Sequence, residues 1–249
     1  MSRAIIEVDN LTGGYDEVPV LKNVSMDVYS GEVLVIAGKS GCGKSTIMRY
    51  LIGLQKPDGG RILFDRQDIW ESAEILAAAR RRWGVLFQSG ALLGNLTVLE
   101  NVILPMSEFT DLTRHEMTDV AMSKLEMVGM LHAAYDNPLE ISGGMQKRAA
   151  LARAMALDPE VLFFDEPSAG LDPVTSAELD KTILSVNRNQ GTTLIIVTHE
   201  LESIHAISDR VVMLDPEEKG IIATGSAGDL AANSTDPRVI DFFRRKTGD

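Results

Sequence analysis

The stretch that most constrains this fold is residues 38–46, which read GKSGCGKST. It matches the pattern G-x-x-x-x-G-K-[ST] at Gly38, Gly43, Lys44 and Ser45. A continuous apolar run over residues 33–37 precedes it, and a helical pattern over residues 44–54 follows it. This pattern binds phosphate when it connects a buried strand to the start of a helix. We therefore expect a phosphate loop in an α/β fold.

The chemistry of this loop follows from its residue types. Glycines let the backbone curl so that its N–H groups converge on phosphate oxygens, and the helix start adds a partial positive charge. Lys44 is expected to reach the β- and γ-phosphates, and Ser45 to bind Mg²⁺. Cys42 occupies a variable position with no histidine near it in sequence, so we interpret it as a small packing side chain. The loop residues assigned to nucleotide binding are Gly38, Lys39, Ser40, Gly41, Cys42, Gly43, Lys44, Ser45 and Thr46.

A second candidate site is the acid pair Asp165 and Glu166, which follows the apolar run 161–164. Acids at the carboxyl end of a parallel strand lie where such sheets bind ligands. We expect Asp165 to hold Mg²⁺, directly or through water, and Glu166 to polarise an attacking water as general base. An acid pair that caps a loop is the structural alternative, and the phosphate loop upstream favours the catalytic interpretation.

A third candidate site lies in residues 141–148, which read ISGGMQKR and begin a helical pattern. Ser142 is a good N-cap residue, and the two glycines after it leave backbone N–H groups accessible. These groups offer a second site for phosphate, although an ordinary capped helix fits the same residues.

The order of the remaining patterns predicts the architecture. Strands are expected at residues 5–8, 21–28, 62–64, 84–87, 161–164 and 193–197, with a late hairpin at 211–214 and 220–223. A helix is expected at 175–188, and the stretch 92–157 is helical throughout. Strand–helix alternation around buried strands indicates a mostly parallel sheet covered by helices, with the helical stretch inserted into it.

Composition excludes several classes of function. The chain has 249 residues, with 24 Lys and Arg against 36 Asp and Glu, which gives a net charge of −12. This charge argues against a broad basic face for nucleic acid and against direct docking on an anionic membrane. The single cysteine excludes an internal disulfide and favours a cytosolic setting. No apolar run approaches the roughly 18 residues that a membrane span requires.

Together with Gln88, the segment SAGLD at 168–172 and His199, these motifs occur in the order and spacing of an ABC-transporter nucleotide-binding domain, which the whole chain resembles. The resemblance implies an α/β fold: a P-loop NTPase (RecA-like) core with an N-terminal antiparallel β-subdomain and an inserted α-helical subdomain. It implies one ABC ATPase domain over 1–249. The β-subdomain and core would span about 1–88 and 159–249, and the helical subdomain about 89–158.

The resemblance also implies roles for single residues. The catalytic groups would be Glu166, His199, Gln88 and Lys44. Mg²⁺ would be held by Ser45, Gln88 and Asp165. ATP would be contacted by the phosphate loop, by Ser142, Gly143 and Gly144 from a second subunit, by Asp172, and by Tyr15 stacked on adenine, although a lone tyrosine there also fits packing. Met145 stands where the family usually has glutamine. Because methionine is a weak acceptor and no donor, its side chain is not expected to bond the nucleotide.

Within the family, residues 87–93, 141–154 and 236–239 resemble the ATPases of Mla/Mce-type lipid transport systems. That resemblance implies a homodimer that powers phospholipid transport through a separate membrane permease, linked to an Mce-domain lipid-binding protein. The dimer would lie in the cytoplasm on the inner face of the cell membrane. The permease would dock in a groove between Gln88 and the helical subdomain, where Leu92, Leu93 and Leu96 are either contacts or internal packing.

Three alternatives remain at this point. The first is the ATPase of an importer for a polar solute such as an amino acid. The second is a non-transport ABC ATPase acting on ribosomes or DNA, which the single cassette, the missing heptad insertion and the acidic charge disfavour. The third is a regulatory module that binds ATP without hydrolysing it, which the presence of Glu166 and His199 disfavours.

Overall fold

The structure, a computed structural model, describes residues 3–15 and 18–244. Within these residues the strands form two sheets, one of four strands in the order β2-β1-β4-β5 and one of six in the order β10-β9-β3-β8-β7-β6. The strands are β1 (Ala4–Tyr15), β2 (Val18–Tyr29), β3 (Val33–Gly38), β4 (Gly59–Phe64), β5 (Gln67–Asp68), β6 (Trp83–Leu86), β7 (Val161–Asp165), β8 (Thr193–Val197), β9 (Arg210–Asp215) and β10 (Gly220–Gly225).

The six-stranded sheet is parallel except at β10, which pairs antiparallel with β9 as the predicted late hairpin. Every residue of β3 and of β8 is buried. Successive residues of β3 alternate between two apolar clusters, with Val35 in the cluster on the helical side and Leu34 in the cluster beneath the four-stranded sheet. Strands covered on both faces confirm the predicted sheet and bring the carboxyl ends of β3, β7 and β8 to one edge.

The four-stranded sheet is antiparallel, and its first two strands are longer than predicted. The sequence indicated strands at 5–8 and 21–28, because polar residues and glycines interrupt the alternation after Val8. Register shifts in the pairing of β1 with β2, such as the one between Val8 and Leu11, let both strands continue through these residues. The two sheets and the helices around them confirm the predicted α/β class.

The helical stretch between β6 and β7 is divided more finely than the sequence indicated. Residues 92–97 are not helical, because Thr97 and Glu100 form a reciprocal capping box that begins α3. Within the described residues, two short 3₁₀ turns at Leu131–Ala133 and Pro138–Glu140 precede α5. The helices are α1 (Lys44–Leu51), α2 (Ala73–Arg80), α3 (Val98–Phe109), α4 (Arg114–Met127), α5 (Gly143–Ala154), α6 (Pro173–Gln190), α7 (Leu201–Ile207), α8 (Ala227–Asn233) and α9 (Pro237–Arg244).

Helix α1 ends at Leu51 rather than at the predicted residue 54, since Gly53 adopts a left-handed conformation with φ of 72°. Helix α6 begins at Pro173, two residues before the predicted start, because Asp172 caps it. Among the helices that the structure describes, none has the length and apolarity needed to cross a bilayer.

Candidate active site

The phosphate loop connects the end of β3 to the start of α1 and depends on two glycines. Gly43, the residue before α1, has φ of 99°, and a Cβ placed there would lie 2.7 Å from Leu21 Cδ2. Gly38 has φ of 149°, and a Cβ there would lie 2.4 Å from the Leu214 carbonyl oxygen. Any side chain at either position would force the loop away from its neighbours, so both positions require glycine.

The cation of this loop is Lys44, which is only 8% exposed. Its ammonium group donates to the carbonyl oxygens of Gly38, at 2.8 Å, and Lys39, at 3.2 Å. A positive charge is therefore held inside the loop at the N-terminus of an eight-residue helix, an arrangement that suits a polyphosphate. Ser45 is exposed at the first turn of α1, where its hydroxyl is accessible to a metal ion.

Cys42 is fully buried within the same loop, and burial raises the pKa of its thiol. A buried neutral thiol is a poor nucleophile, in agreement with its interpretation as a packing residue.

The acid pair lies where β7 ends, beside the end of β8. Burial raises the pKa of the half-buried Asp165, and the charge of Glu166 raises it further. Glu166 has φ of 47°, and its N–H donates to the Val197 carbonyl oxygen at 2.9 Å. Asp165 Oδ1 and Glu166 Oε2 are buried, and neither has a hydrogen-bond partner among the described residues. Two buried carboxylate oxygens without donors suit a hard cation and a water molecule.

A Mg²⁺ ion at this position would be held by the protein and the nucleotide together. The described residues contain no group of three His, Cys, Asp or Glu side chains that could hold a metal ion. Protein ligands would therefore come from Asp165 and from neutral oxygens such as the Ser45 hydroxyl, with phosphate oxygens completing the shell, as is usual for this ion.

His199 is brought to the acid pair although the two lie 33 positions apart in the chain. Its Nδ1 lies 2.8 Å from Glu166 Oε1, and its imidazole is half exposed at the end of β8. The bond orients both side chains and leaves Oε2 as the second oxygen of the carboxylate. The structure thus joins two predicted catalytic residues in one hydrogen-bonded pair.

Gln88 also lies at this edge, in a cleft beside the acid pair. We refer to residues 87–91 as the Q-loop. The cleft is lined by Phe87, Gln88, Ser89, Asp165, Ala169 and Gly170. Both Gln88 and Ser89 are exposed in it. The neighbourhood of Gln88 and Asp165 supports the assignment of both to one site.

One further residue of this cleft region escaped the sequence analysis. Lys147 of α5 is 6% exposed and donates its ammonium N–H to the carbonyl oxygen of Gln88. Burial lowers the pKa of Lys147, while the charges of Asp165 and Glu166 raise it. A lysine in a run such as MQKR looks solvated in sequence, and only the packing of α5 against the Q-loop reveals its burial.

The third candidate site is the start of α5, which is exposed. Ser142 is its N-cap, and its Oγ accepts from the Met145 N–H at 3.3 Å. Ser142 and Gly143 are exposed, whereas a Cβ on Gly144 would lie 2.5 Å from Thr175 Cγ2 of α6. Met145 is half buried and packs against the apolar cluster on the helical side of the sheet. The Met145 side chain therefore has a packing role.

Asp172 and Tyr15 are the two other residues predicted to contact ATP. Asp172 uses both carboxylate oxygens to cap α6: Oδ1 accepts from the N–H groups of Val174 and Thr175, and Oδ2 accepts from the Thr175 hydroxyl, which lowers the pKa of Asp172. Its contact with nucleotide stays a prediction. Tyr15 is the last residue of β1, but its side chain lies outside the described residues, so its stacking on adenine is untested.

Comparisons with known proteins agree with this arrangement. The chain matches the family model for ABC transporters over residues 21–169. It is 38% identical over 245 residues to the intermembrane phospholipid transport system ATP-binding protein MlaF of Haemophilus influenzae, covering 98% of this chain and 92% of that protein. It is 43% identical over 239 residues to the probable ribonucleotide transport ATP-binding protein mkl of Mycobacterium leprae, covering 96% and 68%.

A solved structure extends the comparison to a bound nucleotide. The dimeric post-hydrolysis state of the ATP-binding cassette MJ0796, bound to ADP and Pi, is 29% identical to this chain and has a TM-score of 0.80, covering 89% of this chain and 98% of that one. The family model spans more than half of this chain, and MlaF matches it nearly end to end. The chain therefore belongs to the ABC transporter family, in which it is an ATP-binding subunit that hydrolyses ATP.

Proposed function

We propose that this chain drives the movement of phospholipid through a separate integral membrane permease that is linked to an Mce-domain lipid-binding protein. The observation that carries the proposal is the match to MlaF over 98% of this chain, a protein named for intermembrane phospholipid transport. The subunit would sit in the cytoplasm on the inner face of the membrane, held there by the permease.

The proposed hydrolytic site uses the phosphate loop, the acid pair, Gln88 and His199. Lys44 and the loop N–H groups bind the phosphates of ATP, and Ser45, Asp165 and Gln88 hold Mg²⁺, which would stabilise charge on the phosphate oxygens. Glu166 accepts a proton from the water that attacks the γ-phosphorus, as the bond to the ADP oxygen breaks. The contact with His199 engages Oε1 and fixes the orientation of Glu166, which leaves Oε2, without a hydrogen-bond partner among the described residues, as the proton acceptor.

The proposed assembly is a head-to-tail homodimer. Each ATP would lie between the phosphate loop of one subunit and Ser142, Gly143 and Gly144 of the other. The exposure of Ser142 and Gly143 at the start of α5 supports this contact, because N–H groups at a helix start attract phosphate only where a ligand can reach them. The dimeric cassette bound to ADP and Pi provides the family precedent.

The proposed docking face for the permease combines the chain after the Q-loop with the turn before α5. Leu93 is 43% exposed and Leu139 is 77% exposed. A Cβ placed on Gly94 would lie 3.1 Å from Leu139 Cδ1, so the two stretches touch. Leu92, in contrast, packs against the apolar cluster of the helical side. We therefore assign the permease contact to Leu93 and Leu139. Leu96 is half buried.

The test is purification of the tagged chain from its native membranes in mild detergent, followed by mass spectrometry of proteins and lipids. We expect a permease and an Mce-domain protein in stoichiometric amounts, with bound phospholipid. Leu93→Asp together with Leu139→Asp should release the permease and leave basal ATPase activity unchanged. Val18→Asp, on β2 of the four-stranded sheet and 62% exposed, is the matched control and should keep the complex intact.

A second candidate cargo is a polar solute, which the name of mkl as a probable ribonucleotide transport protein favours. Recovery of a solute-binding protein in place of an Mce-domain protein, without enriched lipid, would support this candidate and contradict the lipid proposal. Recovery of ribosomes or DNA would instead contradict a transport function.

A further inference from the structure

The Q-loop is attached to α5 through its main chain. Lys147 donates to the carbonyl oxygen of Gln88, and Arg153 donates to those of Ala91, at 2.7 Å, and Gly90, at 2.8 Å. Gly90 and Ala91 both adopt positive φ angles, of 73° and 51°, which turn their carbonyl groups to the helix. Two cations of one helix therefore bind three carbonyl oxygens in a stretch of four residues.

The packing between these elements is close as well as polar. A Cβ placed on Gly90 would lie 3.6 Å from Ala150 Cβ and 3.6 Å from the Gln146 carbonyl oxygen, so the loop lies directly on α5. Ser142, the N-cap of the same helix, lies roughly 7–8 Å along the axis from Lys147 at the usual rise per residue. The exposed start of α5 and the main chain of Gln88 are therefore joined through about one and a half turns of one helix.

Lys147 differs from Arg153 in what lies beside it. Lys147 is buried and within electrostatic reach of Asp165 and Glu166, and the carbonyl group that it binds belongs to Gln88, which shares a cleft with Asp165. Placing a buried ammonium costs free energy unless charges and acceptors compensate it, and the acid pair and the Gln88 carbonyl do so here. The position suits a residue that places Gln88 relative to the acids.

We propose that Lys147 is a positioning residue for ATP hydrolysis, which acts through Gln88 by fixing the main chain of that residue to α5 beside the acid pair. The proposal rests on the catalytic role proposed for Gln88. It gives α5 a function in its own subunit, in addition to the contact that its exposed start makes with ATP across the dimer.

The test compares steady-state ATPase kinetics and nucleotide affinity of the purified full chain with those of Lys147→Met. A misplaced group costs up to about 100-fold in rate, so we expect kcat to fall about 10- to 100-fold. Affinity for a fluorescent ATP analogue should change less than about twofold, because the phosphate loop is intact. Lys147→Arg, which keeps a cationic donor, should restore kcat to within about threefold of the parent. Should Lys147→Met fail to fold, Lys147→Gln replaces it.

Arg148→Gln is the matched control, since it removes a charge from the next position of α5. Arg148 bonds Glu178 and Thr182 of α6, not the Q-loop. Its kcat should stay within about threefold of the parent. A loss in Arg148→Gln equal to that in Lys147→Met would reduce the role of Lys147 to helix stability and overturn the proposal.

A double-mutant cycle decides whether Lys147 acts through Gln88. In a Gln88→Ala background, which keeps the carbonyl but removes the side chain, Lys147→Met should lower kcat less than threefold further. Two outcomes would overturn the positioning role of Lys147 and leave the proposed role of Gln88 intact. One is full additivity of the two substitutions, and the other is normal kcat in Lys147→Met when Gln88→Ala is impaired. Normal kcat in Gln88→Ala alone would instead refute the role of Gln88, and with it the inference.

Discussion

Two helix starts in this molecule are suited to phosphate, and they are built differently. The start of α1 has no side-chain cap; its N-cap is Gly43, and Lys44 lies inside the loop. The start of α5 is capped by the Ser142 side chain and is exposed. The first holds its own buried cation, with the acid pair and His199 at the same sheet edge. The second presents N–H groups to the outside, where they are accessible to the ATP of a second subunit in the proposed dimer.

The difference shows how one chain can separate binding from hydrolysis. In the proposed mechanism, residues around α1 hold the nucleotide and the acid pair after β7 supplies the base, so their loss should affect a single subunit. Residues at the start of α5 should matter only when two subunits meet. Substitutions at the α1 start should therefore impair each subunit by itself, whereas substitutions at the α5 start should impair only the dimer.

The largest effect is expected at the base. Glu166→Gln keeps the shape and the contact with His199 but removes proton acceptance, so kcat should fall about 10²- to 10⁴-fold. ATP binding should persist, and size-exclusion chromatography with ATP should show a stable dimer. Turnover at the parental rate would rule out Glu166 as the base. A dimer that forms equally well without ATP would contradict closure around the nucleotide.

The next effect is expected at the α1 start. Lys44→Ala removes the buried ammonium group from the loop, and affinity for ATP should fall about 100-fold, consistent with the loss of roughly 2–3 kcal/mol from charge-assisted hydrogen bonds. Titration with a fluorescent ATP analogue measures it. Lys181→Ala, at an exposed lysine of α6, serves as the control and should bind normally. Undiminished affinity in Lys44→Ala would contradict the phosphate loop.

At the α5 start the effect should appear only in the dimer. Ser142→Asp keeps a good N-cap but adds a negative charge opposite the γ-phosphate, whereas Ser142→Asn keeps the cap without charge. ATP affinity of the monomer should stay within about twofold in both variants. Turnover and ATP-dependent dimerisation should drop about tenfold or more in Ser142→Asp alone. Equal turnover in the two variants would break the proposed difference between the helix starts.

The two regions also differ in how far sequence predicts them. Backbone-dominated features were predictable: the loop at 38–46, the buried strands and the late hairpin depend on glycines and apolar runs that leave local signals. The family resemblance made His199 and Glu166 catalytic residues, but it did not predict the contact between them, since 33 positions separate the two and no local pattern joins them. Burial of Lys147 left no local signal, because it depends on how α5 packs against the Q-loop. The cap at Asp172 did leave one, an N-cap residue followed by proline at the first helical position, which the predicted start of this helix did not use.

A buried hydrogen-bond network links α6 and α7 to Ser168, two positions after Glu166. A substitution in this network is expected to have the smallest effect of those considered. Ser203 Oγ donates to Asp180 Oδ2 at 2.7 Å and lies 3.4 Å from Ser168 Oγ. Asp180 is 5% exposed, and its Oδ1 has no hydrogen-bond partner among the described residues. Burial raises the pKa of Asp180, only partly offset by the bond from Ser203.

Because the folded-state pKa of Asp180 lies above its unfolded value, its ionisation destabilises the fold as pH rises through that interval. Asp180→Asn should therefore raise Tm at pH 7.5 by about 2–4 °C, which corresponds to about 1 kcal/mol for a domain of this size. The gain should shrink at pH 4.5, where the folded carboxyl is more protonated. Thermal unfolding at both pH values measures it, with Ser203→Ala as a control that lowers Tm. A decrease in Tm for Asp180→Asn at pH 7.5 would mean that the ionised carboxylate stabilises the junction of α6 and α7.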